Sequence, residues 1–220
     1  MTRASILGDL RSAPRTAWVG GLLALALIAV SVALHWRAIA DVWLIGPDLF
    51  HVLEASRLGD DRGLLEVATQ KFQPFLNFYR PLVSLSLSLD QAVWGLDPVG
   101  FQVTNLASFA FCLVCFWLMA LHLFGARRGA LGALAAVAVF AFFPGHWDVL
   151  PWTERRTEFL FTGFALLTVR AQLRARLDTG RGMPLAPVGW AALTMCSKDA
   201  GLALLPVYFV AAVLSTPVGA

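Results

Sequence analysis

Only 14% of the 220 residues are Asp, Glu, Lys or Arg, so the places where they gather carry most of the possible chemistry. The densest gathering is Phe143-Pro-Gly-His-Trp-Asp-Val-Leu-Pro-Trp-Thr-Glu-Arg-Arg-Thr-Glu158. It crowds His146, Asp148, Glu154, Arg155, Arg156 and Glu158 beside two tryptophans. A second lies in Cys196-Ser-Lys-Asp-Ala-Gly201, where Lys198 and Asp199 interrupt apolar sequence, and a third site is Asp48 in Gly46-Pro-Asp-Leu-Phe-His51. A carboxylate in such a loop can deprotonate a hydroxyl, and Arg or Lys can hold a phosphate through charge-assisted hydrogen bonds. His146-x-Asp148 could open a metal site, but two ligands do not name a metal.

Each feature has a plainer reading. The 143–158 loop also fits an interfacial connection, with aromatics at headgroup depth and charges in water, and Lys198-Asp199 fits a short turn. Asp60 and Asp61, in Gly-Asp-Asp-Arg-Gly, read as an ordinary solvated turn. Cys112-Leu-Val-Cys115 matches C-x-x-C, yet no βαβ pattern surrounds it, so helix packing is the better reading. The three cysteines form no disulfide framework.

The elements that must position these groups follow from composition. Apolar residues make up 58% of the chain and mean hydropathy is +0.70. Soluble domains run at about 45–50% apolar and about 25% charged. That excess excludes a disordered chain and argues against a soluble enzyme, leaving an all-α, polytopic helical membrane protein. The net charge of +3 is no argument for nucleic acid, because basic residues are needed for membrane orientation.

Charge-free stretches predict six spans, about 17–36, 101–123, 129–145, 157–173, 185–197 and 200–215, in a single membrane domain. The first could be a signal peptide, since Ala38-Ile-Ala40 resembles a cleavage site, but its apolar run is long and favours an uncleaved anchor. The fourth spans only if Glu158 and Arg170 sit at its two ends, and Pro206 is expected to kink the sixth. Residues 37–100 form an outer loop with amphipathic helices, in which Pro81 to Trp94 is expected to be helical, with Pro81 in its first turn and Ser84, Ser88 and Gln91 on one face. With a cytoplasmic N-terminus, the inner side carries nine arginines against Asp9 and Asp178, net +7, and the outer side is net −4. This is the positive-inside pattern.

Three segments resemble the GT-C membrane glycosyltransferases, most of all the tetratricopeptide-linked O-mannosyltransferases and related bacterial proteins. Phe78-Tyr-Arg-Pro-Leu-Val-Ser-Leu-Ser followed by Asp90-Gln-Ala-Val-Trp-Gly-Leu-Asp-Pro-Val-Gly-Phe-Gln-Val-Thr-Asn-Leu106 is similar to their Y-R-P-L and W-G-L-x-P-x-G-F-H segments. The 143–158 loop is similar to P-x-H-x-E-x-V-x-W-x-x-x-R-x-D-x-L, and Ser197-Lys-Asp-Ala-Gly-Leu-Ala-Leu-Leu-Pro206 to S-K-E-x-G-x-x-x-x-P. The resemblance implies transfer of a sugar from a polyprenyl-phosphate donor at the periplasmic or luminal face of a bacterial inner membrane. It implies a catalytic role for Asp48, Asp148 and Glu158, and substrate binding by Tyr79, Arg80, His146, Arg155, Arg156, Lys198 and Asp199. Pro47-Asp48 stands where the family often has Asp-Asp, and Gln102 stands in place of the usual His. No certain cofactor follows, with a divalent metal left open, and the acceptor is undefined. Family members carry more spans, so the resemblance also implies a chain that continues past Ala220. Two other classes stay open: a non-catalytic scaffold or lipid-binding subunit with the same fold, and a transporter, for which inverted repeats are not evident.

Overall fold

Residues 15–44, 64–69, 78–124, 129–177 and 185–214 are described in a computed structural model, and every regular element among them is helical. Among the described residues, helix α1 (Arg15–Ile39) and helix α4 (Pro98–Phe124) are the two that are long and apolar enough to cross a membrane; the qualifying part of α1 is Val19–Ile39. At 1.5 Å per residue these stretches run to about 31 and 40 Å, against a hydrocarbon core of about 30 Å. Between α1 and α4 lie helix α2 (Leu64–Thr69) and helix α3 (Pro81–Trp94). After α4 come α5 (Ala130–Ala141), the short α6 (His146–Val149), a 3-10 turn at Thr153–Arg155, and α7 (Arg156–Leu177). Helix α8 (Leu185–Ser197), a 3-10 stretch at Asp199–Leu204, and α9 (Leu205–Leu214) complete the described chain.

The first core joins α1, α4 and α5 through small and branched side chains, with Ala24, Ile28, Cys112, Leu113, Ala133 and Val137 all buried. A Cβ on Gly20 would lie 3.3 Å from the Cβ of Ala130, so the absence of a side chain there lets α1 and α5 approach closely. At their far ends the Ser31 hydroxyl donates to the Ala141 carbonyl at 3.2 Å. Helices α4 and α7 run side by side in the same direction: Phe109 meets Phe159, Phe111 meets Phe164, and Arg170 Nε donates to the Leu118 carbonyl at 3.1 Å. Free Cys112 and Cys115 are buried in this packing.

The turn between α3 and α4 explains its own sequence. Pro81 opens α3, where a missing N–H costs nothing. Gly95 ends it at φ 64°, a conformation that strains any residue with a side chain, and its N–H reaches the Gln91 carbonyl at 2.8 Å. Asp97 Oδ1 then accepts the Val99 N–H at 3.0 Å, satisfying a donor at the start of α4. Val83 and Leu87 of α3 pack with Phe101 and Val67 as a second small core.

Several expected spans differ from a membrane-length apolar helix. The helix expected over 129–145 stops at Ala141, because Pro144 and Gly145 follow and the chain turns into α6. Helix α8 has 13 residues, about 20 Å, and α7 keeps an uncharged run only from Phe159 to Val169. The kinked helix expected over 200–215 is instead a 3-10 stretch followed by a new helix, with Pro206 in the first turn of α9. The Leu205 N–H bonds three residues back to Leu202, and Pro206 has no N–H to extend an α-helical ladder through this point.

Candidate functional site

One end of the helices collects the ends of α1 and α8, the starts of α4 and α7, and α3. Lys198 leaves α8 in extended conformation (φ −157°, ψ 138°), which turns its side chain toward the first turn of α7. Its Nζ donates to both carboxylate oxygens of Glu158, each at 2.7 Å, and lies 5.8 Å from the centre of the Phe161 ring. The next residue, Asp199, accepts the backbone N–H of Tyr79 on Oδ1 at 2.9 Å. Arg80 lies with its guanidinium 4.7 Å over the Phe78 ring. Segments 78–80, 156–161 and 197–201, which lie far apart in sequence, therefore meet. Side chains of Lys198 and Glu158 are 26% and 33% exposed and Tyr79 is about half exposed, so the cluster is partly accessible from outside.

A fully buried layer supports this cluster. Arg156, beginning α7, has no exposed surface; its Nη1 donates to Asp90 Oδ2 at 2.5 Å and its Nε to the Thr153 carbonyl at 3.1 Å. Asp90 Oδ1 also accepts from the Thr104 hydroxyl at 2.7 Å. Burial pushes the Asp90 carboxyl above the usual carboxylate range, opposed by Arg156 and by the hydrogen bonds from Thr104 and Arg156. The pair, with Thr104, ties α3, α4 and α7 together. Beside it, Gln102 donates to the Pro151 carbonyl at 2.8 Å and Asn105 to the Leu150 carbonyl at 2.5 Å. These two α4 amides hold the irregular 150–152 backbone, whose carbonyls would otherwise be buried without partners.

The expected site residues thus divide. Tyr79, Arg80, Glu158, Lys198 and Asp199 are brought to one place. Arg156 and His146, expected to bind substrate, are instead interior supports. The polar groups of Arg156 are engaged with Asp90, Thr153 and Phe101. His146 is buried among Phe109, Phe140, Phe143 and Phe159, with Nε2 bonded to the Phe140 carbonyl at 2.7 Å. Desolvation lowers its proton affinity, partly offset by that carbonyl, with a further lowering from His35. Asp148 is exposed on α6, and Arg155 is largely exposed, 3.7 Å from the neighbouring Glu154. Asp48 lies outside the described residues. Among the described residues, no three His, Cys, Asp or Glu side chains gather as a metal site.

Two supports, Asp90 and Asn105, were not singled out in the sequence, and Gln102 stood out only as a departure from the family pattern. Asp90 carried a usable signal, being the one acid in an otherwise uncharged stretch from Pro81 to Leu96. Compared with protein-family models, curated proteins and solved structures, the chain has no match.

Proposed function

We propose that this chain is a membrane glycosyltransferase that moves a sugar from a polyprenyl-phosphate donor to a hydroxyl acceptor on the outer face of the bilayer. The shorter apolar helices α5, α8 and α9, together with α7, would then complete a six-span arrangement around α1 and α4. The observation that carries the reading is the convergence of Tyr79, Arg80, Glu158, Lys198 and Asp199 at one end of two membrane-length apolar helices. Such a position lets a polyprenyl tail stay in lipid while its phosphate meets cations in water.

In this reading Lys198, held by Glu158, offers an ammonium hydrogen to the donor phosphate, and Arg80 adds a second cation. A carboxylate takes the acceptor hydroxyl proton; the acceptor oxygen bonds to the anomeric carbon as the bond from that carbon to the phosphate oxygen breaks. Polyprenyl phosphate leaves with the bonding electrons. Asp48 is the base that the family resemblance nominates, with Asp148 and Glu158 as further acids. The test incubates the purified chain in proteoliposomes with polyprenyl-phosphate sugars and follows sugar transfer or release. Asp48→Asn is expected to abolish turnover with insertion intact, and full activity in that variant removes Asp48 as the base.

A scaffold reading has one observation in its favour: Lys198 and Arg156 each already hold a carboxylate, so their charges are largely matched inside the protein. Donor binding without turnover would select it over the enzyme.

A further inference from the structure

The end of α4 and α7 remote from Lys198 and Glu158 carries basic groups and, among the described residues, no acid. Arg170 reaches across from α7 and donates from Nε to the Leu118 carbonyl at 3.1 Å, leaving both Nη groups without a protein acceptor among the described residues. Arg174 follows four residues later, on the same face of α7, and its side chain is exposed. His122 stands one turn beyond Leu118, in the last turn of α4. The charges of Arg170 and Arg174 act on one another, and both act on His122. Helices α4 and α5 contain no acid, and α7 has Glu158 alone, in its first turn. Like charges four residues apart repel, and a half-buried guanidinium in a membrane helix is costly without a counterion. Among the described residues nothing supplies that anion.

We infer that Arg170, Arg174 and His122 hold the phosphate of an anionic phospholipid headgroup between the ends of α4 and α7. A hydrocarbon core of about 30 Å takes about 20 helical residues, so a span that starts near Phe101 leaves the core close to His122. Headgroup phosphates stand at that depth. Guanidinium N–H groups match phosphate oxygens in forked, charge-assisted hydrogen bonds, and an imidazole N–H can add another. The surface around the basic groups is apolar: Leu123, Phe124 and, at the start of α5, Leu131 are 64%, 54% and 78% exposed. A free phosphate gains nothing from those side chains, whereas acyl chains cover them, so the phosphate belongs to a lipid. Basic pockets between transmembrane helices take anionic headgroups on the same grounds. A lipid bound here bridges α4 and α7 at the end opposite Asp90, Thr104 and Arg156, so charge clamps the two helices at both ends.

The inference rests on the membrane reading above and not on sugar transfer. The full chain in neutral detergent is titrated with phosphatidylglycerol or phosphatidylcholine, and native mass spectrometry reads the lipid retained per chain. One phosphatidylglycerol is expected to bind several-fold more tightly than phosphatidylcholine. Arg174→Gln removes a side chain that makes no bond among the described residues, so the fold should survive. It should weaken phosphatidylglycerol binding about fivefold, and Arg170→Gln with Arg174→Gln about twenty-five-fold, the attraction usual per basic residue at a membrane surface. Arg37→Gln, an exposed arginine in the last turn of α1, should leave binding unchanged. Equal retention of the two lipids, or a loss in Arg37→Gln as large as in Arg174→Gln, overturns the site. Displacement of the lipid by free glycerol phosphate overturns its lipid source and leaves a site for soluble phosphates. The chains are also reconstituted in liposomes and washed with alkaline carbonate. Wash-out of the wild-type chain overturns the membrane reading, whereas a retained chain with unaltered binding in Arg174→Gln overturns the headgroup site alone.

Discussion

The buried Asp90–Arg156 pair is asymmetric, and the asymmetry gives a sharp expectation. Asp90 can shed its charge by taking a proton, a route that its burial already favours, whereas a guanidinium cannot deprotonate in a protein. Asp90→Asn therefore strands a buried cation and should cost about 3–5 kcal/mol, the usual penalty for breaking a buried pair from one side. Arg156→Met should cost visibly less, and thermal unfolding in detergent orders the two variants. Lys198 and Glu158 are partly exposed, so their attraction contributes only about 0–1 kcal/mol to stability. Lys198→Ala and Glu158→Gln should hence leave the unfolding temperature nearly unchanged and reduce sugar transfer at least tenfold; normal transfer rates in both would remove the pair from the mechanism. His146 sets a pH dependence. Its folded affinity for protons lies below the ordinary 6.5, so the unfolded chain binds the proton first as pH falls. Its contribution is fully present above pH 6.5 and is lost as pH drops through the lowered folded value, and His146→Gln should flatten that slope. At this scale the sequence was a partial guide. Lys198, Asp199 and Glu158 were legible because charge inside apolar sequence is costly and must have a use, whereas Tyr79 stood out only through the family resemblance. The division of labour between Arg155 and Arg156 was not, since which of two adjacent arginines faces inward depends on the 3-10 turn that precedes them.

At the level of elements, helix type and long-helix limits could be read from residue pattern. The expectation that Pro81 to Trp94 is helical holds because Pro81 opens it and Gly95 closes it. Expected spans over 17–36 and 101–123 fall inside α1 and α4. What could not be read were the endings at Ala141 and around Leu205, where local hydrogen bonding overrides hydropathy. Gly201 illustrates the same competition. A Cβ there would lie 2.8 Å from the Cα of Met195 and 3.0 Å from its backbone N, atoms that cannot swing aside. Gly201→Ala should force the 3-10 stretch off α8, costing about 1–3 kcal/mol and moving Lys198 away from Glu158. A drop in both unfolding temperature and donor affinity is expected, in contrast to the stability-neutral Lys198→Ala.

For the molecule as a whole, the sorting of charge by end is the organising feature. Glu158, Lys198, Asp199 and the Asp90–Arg156 pair stand at one end, while Arg170 and Arg174 lie toward the other end of α7. The net +3 of the chain conceals this separation. Charge counting could suggest it because the loops are short, but it could not show that an acid from residue 90 and a base from residue 156 would cancel in the interior. That pairing also orders events in time. Synthesis runs from the N-terminus, so Asp90 leaves the ribosome 66 residues ahead of Arg156. At about 5–20 residues per second the gap lasts roughly 3–13 s. Throughout it α3 lacks the counterion it seats against, and α7 must emerge before the earlier helix can dock. Nascent chains arrested before residue 150 should leave α3 open to proteolysis, and chains arrested beyond α7 should protect it.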